Sequence, residues 1–343
     1  MSSCDHISWL QLTGNQTLIL NDTGRLDRVI NELADPAQQT PTLLYFLGRR
    51  AKDAALKEIF PHNNLRRGRS NGLANIRVDT ASITRDSPLI FADSDLGAPI
   101  PPRESLTPCH KSTAYPIHWP YSNTQSALDV AFIRILLPFC SALVLFVDDF
   151  DSLGQIALYI ERWTTIGMLL DDVRPRLILA ASAKSTKYSR IQLRQLQDHC
   201  QQSQLFSSIS LVLLIRELSA TSCHRPLREE ISKQAGEMLQ ILSRHHRLFS
   251  ALHLAHMYRL ALKHTAGTVT EAFDYVQASR TYHNLANYPG HLKNFLTLAV
   301  KHAISYESIT SYLASGMIMD AYPPGAHGKF SISPSKDNRL LAT

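Results

Sequence analysis

Between residues 41 and 215 the chain repeats one pattern: a short apolar run, bounded by turn residues or charges. The runs are "PTLLYFLG" (41–48), "ANIRVDT" (74–80), "SPLIFADSD" (87–95), "SALVLFVDD" (141–149), "RPRLILAAS" (174–182) and "SSISLVLLI" (207–215). Runs of this length, apolar on both faces, suit buried parallel strands. Helical periodicity fills several of the gaps, at 151–170 and 187–202. The alternation predicts an α/β domain with a mostly parallel, doubly wound sheet. Upstream, "QTLILND" (16–22) is a short apolar pattern and "GRLDRVINELAD" (24–35) a helix, with Leu26, Val29, Ile30 and Leu33 on one face. Residues 62–75 and 97–125, rich in Asn, Pro, Ser, Thr and Arg, read as loops.

After about residue 222 the strand pattern stops. Residues 227–265, 270–284, 291–303 and 306–322 read as helices, and the double proline at 323–324 ends the last. The predicted organisation is an α/β domain over 1–222, an all-α domain over 223–327 and a polar, disordered tail over 328–343. No internal repeat is visible.

The segment Leu43–Phe60, "LLYFLGRRAKDAALKEIF", has the layout of a phosphate-binding loop: buried strand, glycine, basic turn, amphipathic helix. A working loop, G-x-x-x-x-G-K-[ST], wraps a phosphate in backbone N–H groups, reaches it with Lys and binds Mg²⁺ through a hydroxyl. Here Gly48 is followed by Arg49, Arg50, Ala51, Lys52 and Asp53. The lysine arrives two residues early, the second glycine is missing, and Asp53 replaces the hydroxyl. "PLIFADSDLG" (88–97) resembles the strand that holds Mg²⁺ through water, with Asp93 or Asp95 in that role, although D-x-x-G spacing is broken. "LVLFVDDF" (143–150) is a second strand ending in acid, at Asp148 and Asp149. The base-reading N-K-x-D of GTPases has no counterpart in "SAKSTK" (182–187). The loop therefore reads as a degenerate nucleotide site. Gly48, Arg49, Arg50, Lys52, Asp93 and Asp95 are its candidate residues for a residual phosphate or anion, and no resident cofactor or metal is expected. The alternative is a nucleotide-dependent switch with a shortened loop.

Other constellations are weaker. "GRSNG" (68–72) matches the G-x-S-x-G nucleophile pattern at Ser70, but "FPHNNLRR" before it is no strand and no oxyanion hole is near. His245, His246, His253, His256 and His264 fall on one predicted helix without a converging further metal ligand. Cys109, His110 and His118 match no standard metal spacing.

Composition narrows the setting. The 343 residues carry a formal net charge of +6, which favours anionic partners without choosing among them and leaves peripheral contact with an acidic lipid surface open. No RNA-binding signature is present. Five cysteines, at 4, 109, 140, 200 and 223, include no C-x-x-C pair. That predicts a reducing, cytoplasmic compartment, in which the N-x-T matches at Asn15 and Asn21 have no glycosylation meaning. The N-terminal stretch shows no secretory leader pattern. The longest apolar stretches, such as "CSALVLFV" (140–147), are far below the ~20 residues a membrane span needs.

Several blocks together carry a family resemblance: "NDTGRLDRVINELADPAQQTPTLLYFLGRRAKDAALKEIFPHNNLRRGRSNGLANIRVD", "SPLIFADSD", "PCHKSTAYPIHW" and "SGMIMDAYPPGAH". They resemble the region upstream of the catalytic domain in large filamentous-fungal patatin-like phospholipase proteins, over about residues 8–327. "DAYPPGAH" and "IFPHNNLRR" are the most distinctive pair. In that family the catalytic domain follows the Tyr-Pro-Pro segment and brings a glycine-rich oxyanion loop, a G-x-S-x-G serine and an Asp-Gly dyad. This chain has no D-G-G, no D-G-A and no glycine-rich run. The resemblance therefore carries over no catalytic residue. It implies a regulatory or interaction module whose partner is a downstream patatin domain or another protein.

Overall fold

The computed structural model describes residues 7–14, 17–63, 73–95, 112–167, 173–183, 187–215, 219–245, 247–271, 273–275, 278 and 288–321. Among the described residues nine strands form one mixed sheet: β1 (Ser8–Thr13), β2 (Ile19–Asp22), β3 (Thr42–Leu47), β4 (Ala74–Val78), β5 (Leu89–Ser94), β6 (Thr113–Pro116), β7 (Ala142–Phe146), β8 (Arg176–Ser182) and β9 (Ile209–Leu214). Their order is β6-β2-β1-β4-β5-β3-β7-β8-β9. Pairing is parallel from β5 through β3, β7 and β8 to β9. From β5 outward through β4, β1, β2 and β6 it is antiparallel.

Every residue of β3, β7 and β8 is buried. Their side chains alternate between two apolar layers, as the strand period requires. Leu43, Tyr45, Leu47, Leu143 and Leu145 face one layer. That layer is completed by α1 (Arg25–Asn31), α3 (Thr124–Ala131), α4 (Leu153–Ile166), α5 (Arg190–Gln202) and α7 (Ala251–Gly267). Leu44, Phe46, Val144 and Phe146 face the other, completed by α2 (Arg50–Ile59) and α6 (Ala220–Arg244). Helix starts follow local chemistry. The side chains of Asn123, Ser152, Ser189, Ser219 and Ser250 accept backbone N–H groups in the first turns of α3 to α7.

The structure departs from the sequence reading in four places. First, β4 is antiparallel to β5, so "ANIRVDT" is not part of the parallel set. Second, β1 and β2 form a hairpin, and β6 pairs with β2 inside the stretch that reads as a loop. β6 is four residues long and largely exposed, which leaves no apolar run to detect. Third, the run 227–265 is two helices, broken between His245 and Ser250. Fourth, the chain divides into compact units at 274/275, whereas the sequence pattern places the boundary at 222/223. Helices α6 and α7 are cover layers of the sheet. The amphipathic pattern that marks an independent helical bundle also marks a helix packed on a sheet.

The second unit begins at Tyr275. It contains α8 (Tyr288–Lys301) and α9 (Tyr306–Ala321). The rings of Phe295 and Tyr312 stack at 5.3 Å between centroids, and Ala299 and Ile309 are buried. The tail read over 328–343 lies outside the described residues. Among the described residues no helix is long and apolar enough to cross a membrane.

Cys140 and Cys200 are buried free thiols inside the first unit, where Cys223 is buried too. Burial pushes the Cys140 thiol far up and that of Cys200 up to about 12. The thiolate is the reactive form. Alkylation of these two in the native protein at pH 8 is therefore expected to be slow, and complete within minutes in denaturant. Peptide mapping by mass spectrometry checks this, and fast native labelling at either position would contradict the packing.

Candidate functional site

Strand β3 is the centre of the parallel half, with β5 on one side and β7 on the other. The chain leaves β3 at Gly48 and enters α2 at Arg50. Ligands of open α/β sheets collect at the carboxyl ends of strands, where the strand order turns from one side to the other. Gly48, the Asp93–Asp95 end of β5 and the Asp148–Asp149 end of β7 all meet there.

No side chain within the loop caps α2. Its first donors turn instead to Asp149, about a hundred residues away in sequence. The Arg49 N–H donates to Asp149 Oδ2 at 2.6 Å and the Lys52 N–H to the same oxygen at 3.0 Å. The Ala51 N–H donates to Asp149 Oδ1 at 2.9 Å. A carboxylate thus occupies the first N–H groups of α2. Gly48 is required by this close approach: a Cβ there would lie 2.6 Å from Asp149 Oδ2 and 3.0 Å from the Cβ atoms of Lys52 and Phe146. On the same β7 end, Asp148 Oδ2 accepts the Ser182 N–H at 2.8 Å and ties β7 to β8.

The Lys52 side chain, 1% exposed, turns inward beneath the loop. Its Nζ lies 2.9 Å from Asp93 Oδ2, 2.6 Å from Asp95 Oδ1 and 3.4 Å from Asp53 Oδ1. Asp93 is also buried and pairs with Arg77 Nη1 at 2.9 Å. It accepts from Asn75 Nδ2 at 3.3 Å, its direct cross-strand partner on β4. Burial alone would lower the Lys52 pKa, but Asp93 and Asp95 raise it above the ordinary lysine value. Burial alone would raise Asp93, but Lys52 and Arg77 hold it below the usual carboxylate range. Asp53 is raised by partial burial and by its acidic neighbours, against the pull of Lys52. Two cations, Lys52 and Arg77, thus face three carboxylates, Asp53, Asp93 and Asp95. The carboxylates have the mutual spacing of a metal site, with ligand atoms within 4.8 Å of one another, and the lysine ammonium sits among them.

The structure therefore brings together Gly48, Lys52, Asp93 and Asp95, and it places Arg49 and Arg50 at the exposed start of α2. Lys52 is directed to carboxylates, away from the position expected of a phosphate ligand. Asp53 contributes its N–H to the α2 ladder through Arg49 O, and its side chain is 68% exposed. The decisive residue, Asp149, is visible in the sequence as an acid ending a strand, and nothing there ties it to Gly48. Asn75 and Arg77 give no signal beyond polar residues in an apolar run. Ser70, Cys109, His110 and His246 lie outside the described residues. Of the other histidines, His253 Nδ1 lies within hydrogen-bond distance of Ser250 Oγ, at 2.7 Å, and the His118 N–H donates to Ala266 O. No histidine joins a metal-type cluster among the described residues.

No family model matches the chain, and no curated protein is similar to it. Among solved structures it is similar to the siderophore hydrolase EstA from Aspergillus nidulans, at 12% identity, over 69% of this chain and 98% of that one. The TM-score is 0.27, too low for any transfer of fold or chemistry.

Proposed function

We propose that this chain is a non-catalytic regulatory or interaction module built on a degenerate P-loop-type, doubly wound fold. In this reading it is the part that stands upstream of the acyl-hydrolase domain in patatin-like phospholipase proteins. One observation carries the non-catalytic half: the N–H groups after Gly48 hold the Asp149 carboxylate, and Lys52 is buried against Asp93 and Asp95. A phosphate entering the loop would displace a tethered carboxylate and then lack its lysine. The placement of that loop at the end of a central parallel strand supports the P-loop-type reading. The sequence blocks named above support the patatin relationship, and acyl hydrolysis then belongs to a downstream domain.

Isothermal titration with ATP and GTP, with and without Mg²⁺, tests the reading. The expected result is no micromolar binding and no dependence on Mg²⁺. Micromolar binding that requires Mg²⁺ and disappears in Lys52→Ala would establish the nucleotide-switch alternative. The chain alone is likewise expected to leave phospholipid and p-nitrophenyl esters intact. Hydrolysis lost in Ser70→Ala would make "GRSNG" a catalytic elbow and overturn the non-catalytic reading.

A further inference from the structure

Helix α8 in the second unit buries only part of its apolar surface. Ala299 is buried, and Leu292 and Phe295 are half-buried. Leu296 and Val300, four residues apart and so on one side of the helix, are exposed, Val300 by 73%. The turn after the helix is fixed. The Ile304 N–H donates to Ala299 O and the Ala303 N–H to Val300 O, both at 3.0 Å, with Ala303 at a left-handed φ of 52°. Those two bonds form a Schellman cap, and they hold the exposed Ile304 just past the helix end.

Cations accompany this apolar side. Lys293 lines the same shallow groove as Leu292, Leu296 and Val300, and the exposed Lys301 ends the helix. From residue 275 to 306 the sequence carries Arg280, Lys293 and Lys301 and no Asp or Glu. Apolar side chains beside lysines suit the boundary layer of an acidic membrane. The apolar groups enter it, while the ammonium groups stay at headgroup level. Protein partners fit less well. Leu296, Val300 and Ile304 fall far short of the roughly 800 Å² per partner that a stable protein interface buries. A second copy would set Lys293 and Lys301 against the same cations, with no acid nearby to pair them.

We propose that the Leu296–Val300 side of α8, with Lys293 and Lys301, docks on an anionic lipid surface. This goes beyond the proposed function and does not depend on what the β3–α2 turn holds.

Co-sedimentation of the full chain with vesicles tests it. One set is phosphatidylcholine alone, the other phosphatidylcholine mixed with phosphatidylserine. Binding to the acidic vesicles only, weakened by added salt, is expected. Leu296→Gln with Val300→Gln leaves the charge unchanged and is expected to cut binding by about tenfold or more. Lys293→Gln with Lys301→Gln is expected to do the same through lost charge. Leu298→Gln is the control: Leu298 is 55% exposed but faces away from Leu296 and Val300, so binding is expected to stay within about twofold of wild type. Circular dichroism checks that each variant is folded. Should the Leu296/Val300 pair not fold, the lysine pair and the salt dependence carry the test. Equal binding to both vesicle types, no binding to either, or binding that survives either double variant would overturn the proposal. A wild-type dimer that Leu296→Gln with Val300→Gln makes monomeric would assign the groove to a second copy instead.

Discussion

Replacing Lys52 with methionine is expected to cost the fold about 3–5 kcal/mol, the usual penalty for breaking a buried ion pair from one side. The side chain is almost fully enclosed and its ammonium touches Asp93 and Asp95 directly. Methionine matches the stem in volume, so the loss is electrostatic. Asp93 would keep only Arg77 as a cationic partner, and three carboxylates would face one another without a central positive charge. Adding Asp93→Asn removes the stranded charge, so the double variant is expected to be more stable than Lys52→Met alone. Urea unfolding of the four proteins closes the cycle. A single-variant loss below about 1 kcal/mol would place the network among exposed pairs of little worth.

The same network fixes the sign of the pH dependence. The folded pKa of Asp93 is depressed below its ordinary 3.8. Its contribution is therefore present above pH 3.8 and is lost as pH falls through the lower, folded value. The folded pKa of Lys52 is raised above its ordinary 10.5. Its contribution is present below pH 10.5 and is lost as pH rises through the higher, folded value. Neither group titrates near neutrality, so between about pH 5 and 9 the contribution of the Lys52–Asp93 pair is expected to be flat. Urea midpoints across that range check it for wild type against Lys52→Met.

The six apolar runs between 41 and 215 are each a strand in the structure: burial on both faces writes itself into the composition of β3, β7 and β8, and the partly buried β9 still carries an apolar run. The pattern does not give direction. β4 reads like its neighbours, yet it runs antiparallel to β5. The β6 edge is the least legible: it has one partly buried residue in four and is held by pairing with β2. At the site, the glycine, the lysine and the acids of β5 are readable from their spacing to a known loop. What the loop holds is not, since the Arg49–Asp149 contact spans 100 residues and depends on β7 lying beside β3. The donors of the β3–α2 turn reach a carboxylate that the neighbouring strand fixes in place.

A chain cut after residue 222 is expected not to fold, whereas one cut after residue 274 is expected to unfold cooperatively. The first cut follows the end of the strand pattern, and it removes nearly all of α6 and the whole of α7. Helix α6 places Cys223, Leu227, Ile231 and Ala235 on the sheet face formed by Leu44, Phe46, Val144 and Phe146. Leu227, Ile231 and Met238 alone are each almost fully buried. At about 1.5–3 kcal/mol per side chain they amount to roughly 5–9 kcal/mol. That is comparable with the whole net stability of a domain, about 5–15 kcal/mol. Helix α7 adds Ala255, Tyr258 and Leu262 to the opposite layer. It is anchored at both ends: the Ala251 N–H donates to Gln39 O at 2.9 Å, and Trp119 Nε1 donates to Thr265 O at 2.6 Å. Losing both helices strips part of the apolar cover from both faces of the sheet at once, which no local rearrangement repairs. Circular dichroism and urea unfolding of the two truncations decide the matter, with Leu227→Asp in the full chain as the point-mutant counterpart, expected to destabilise by more than about 3 kcal/mol. A 1–222 chain that purifies as a monomer with a sharp unfolding transition would show that the sheet stands without α6 and α7, and that the boundary read from the sequence is the true one.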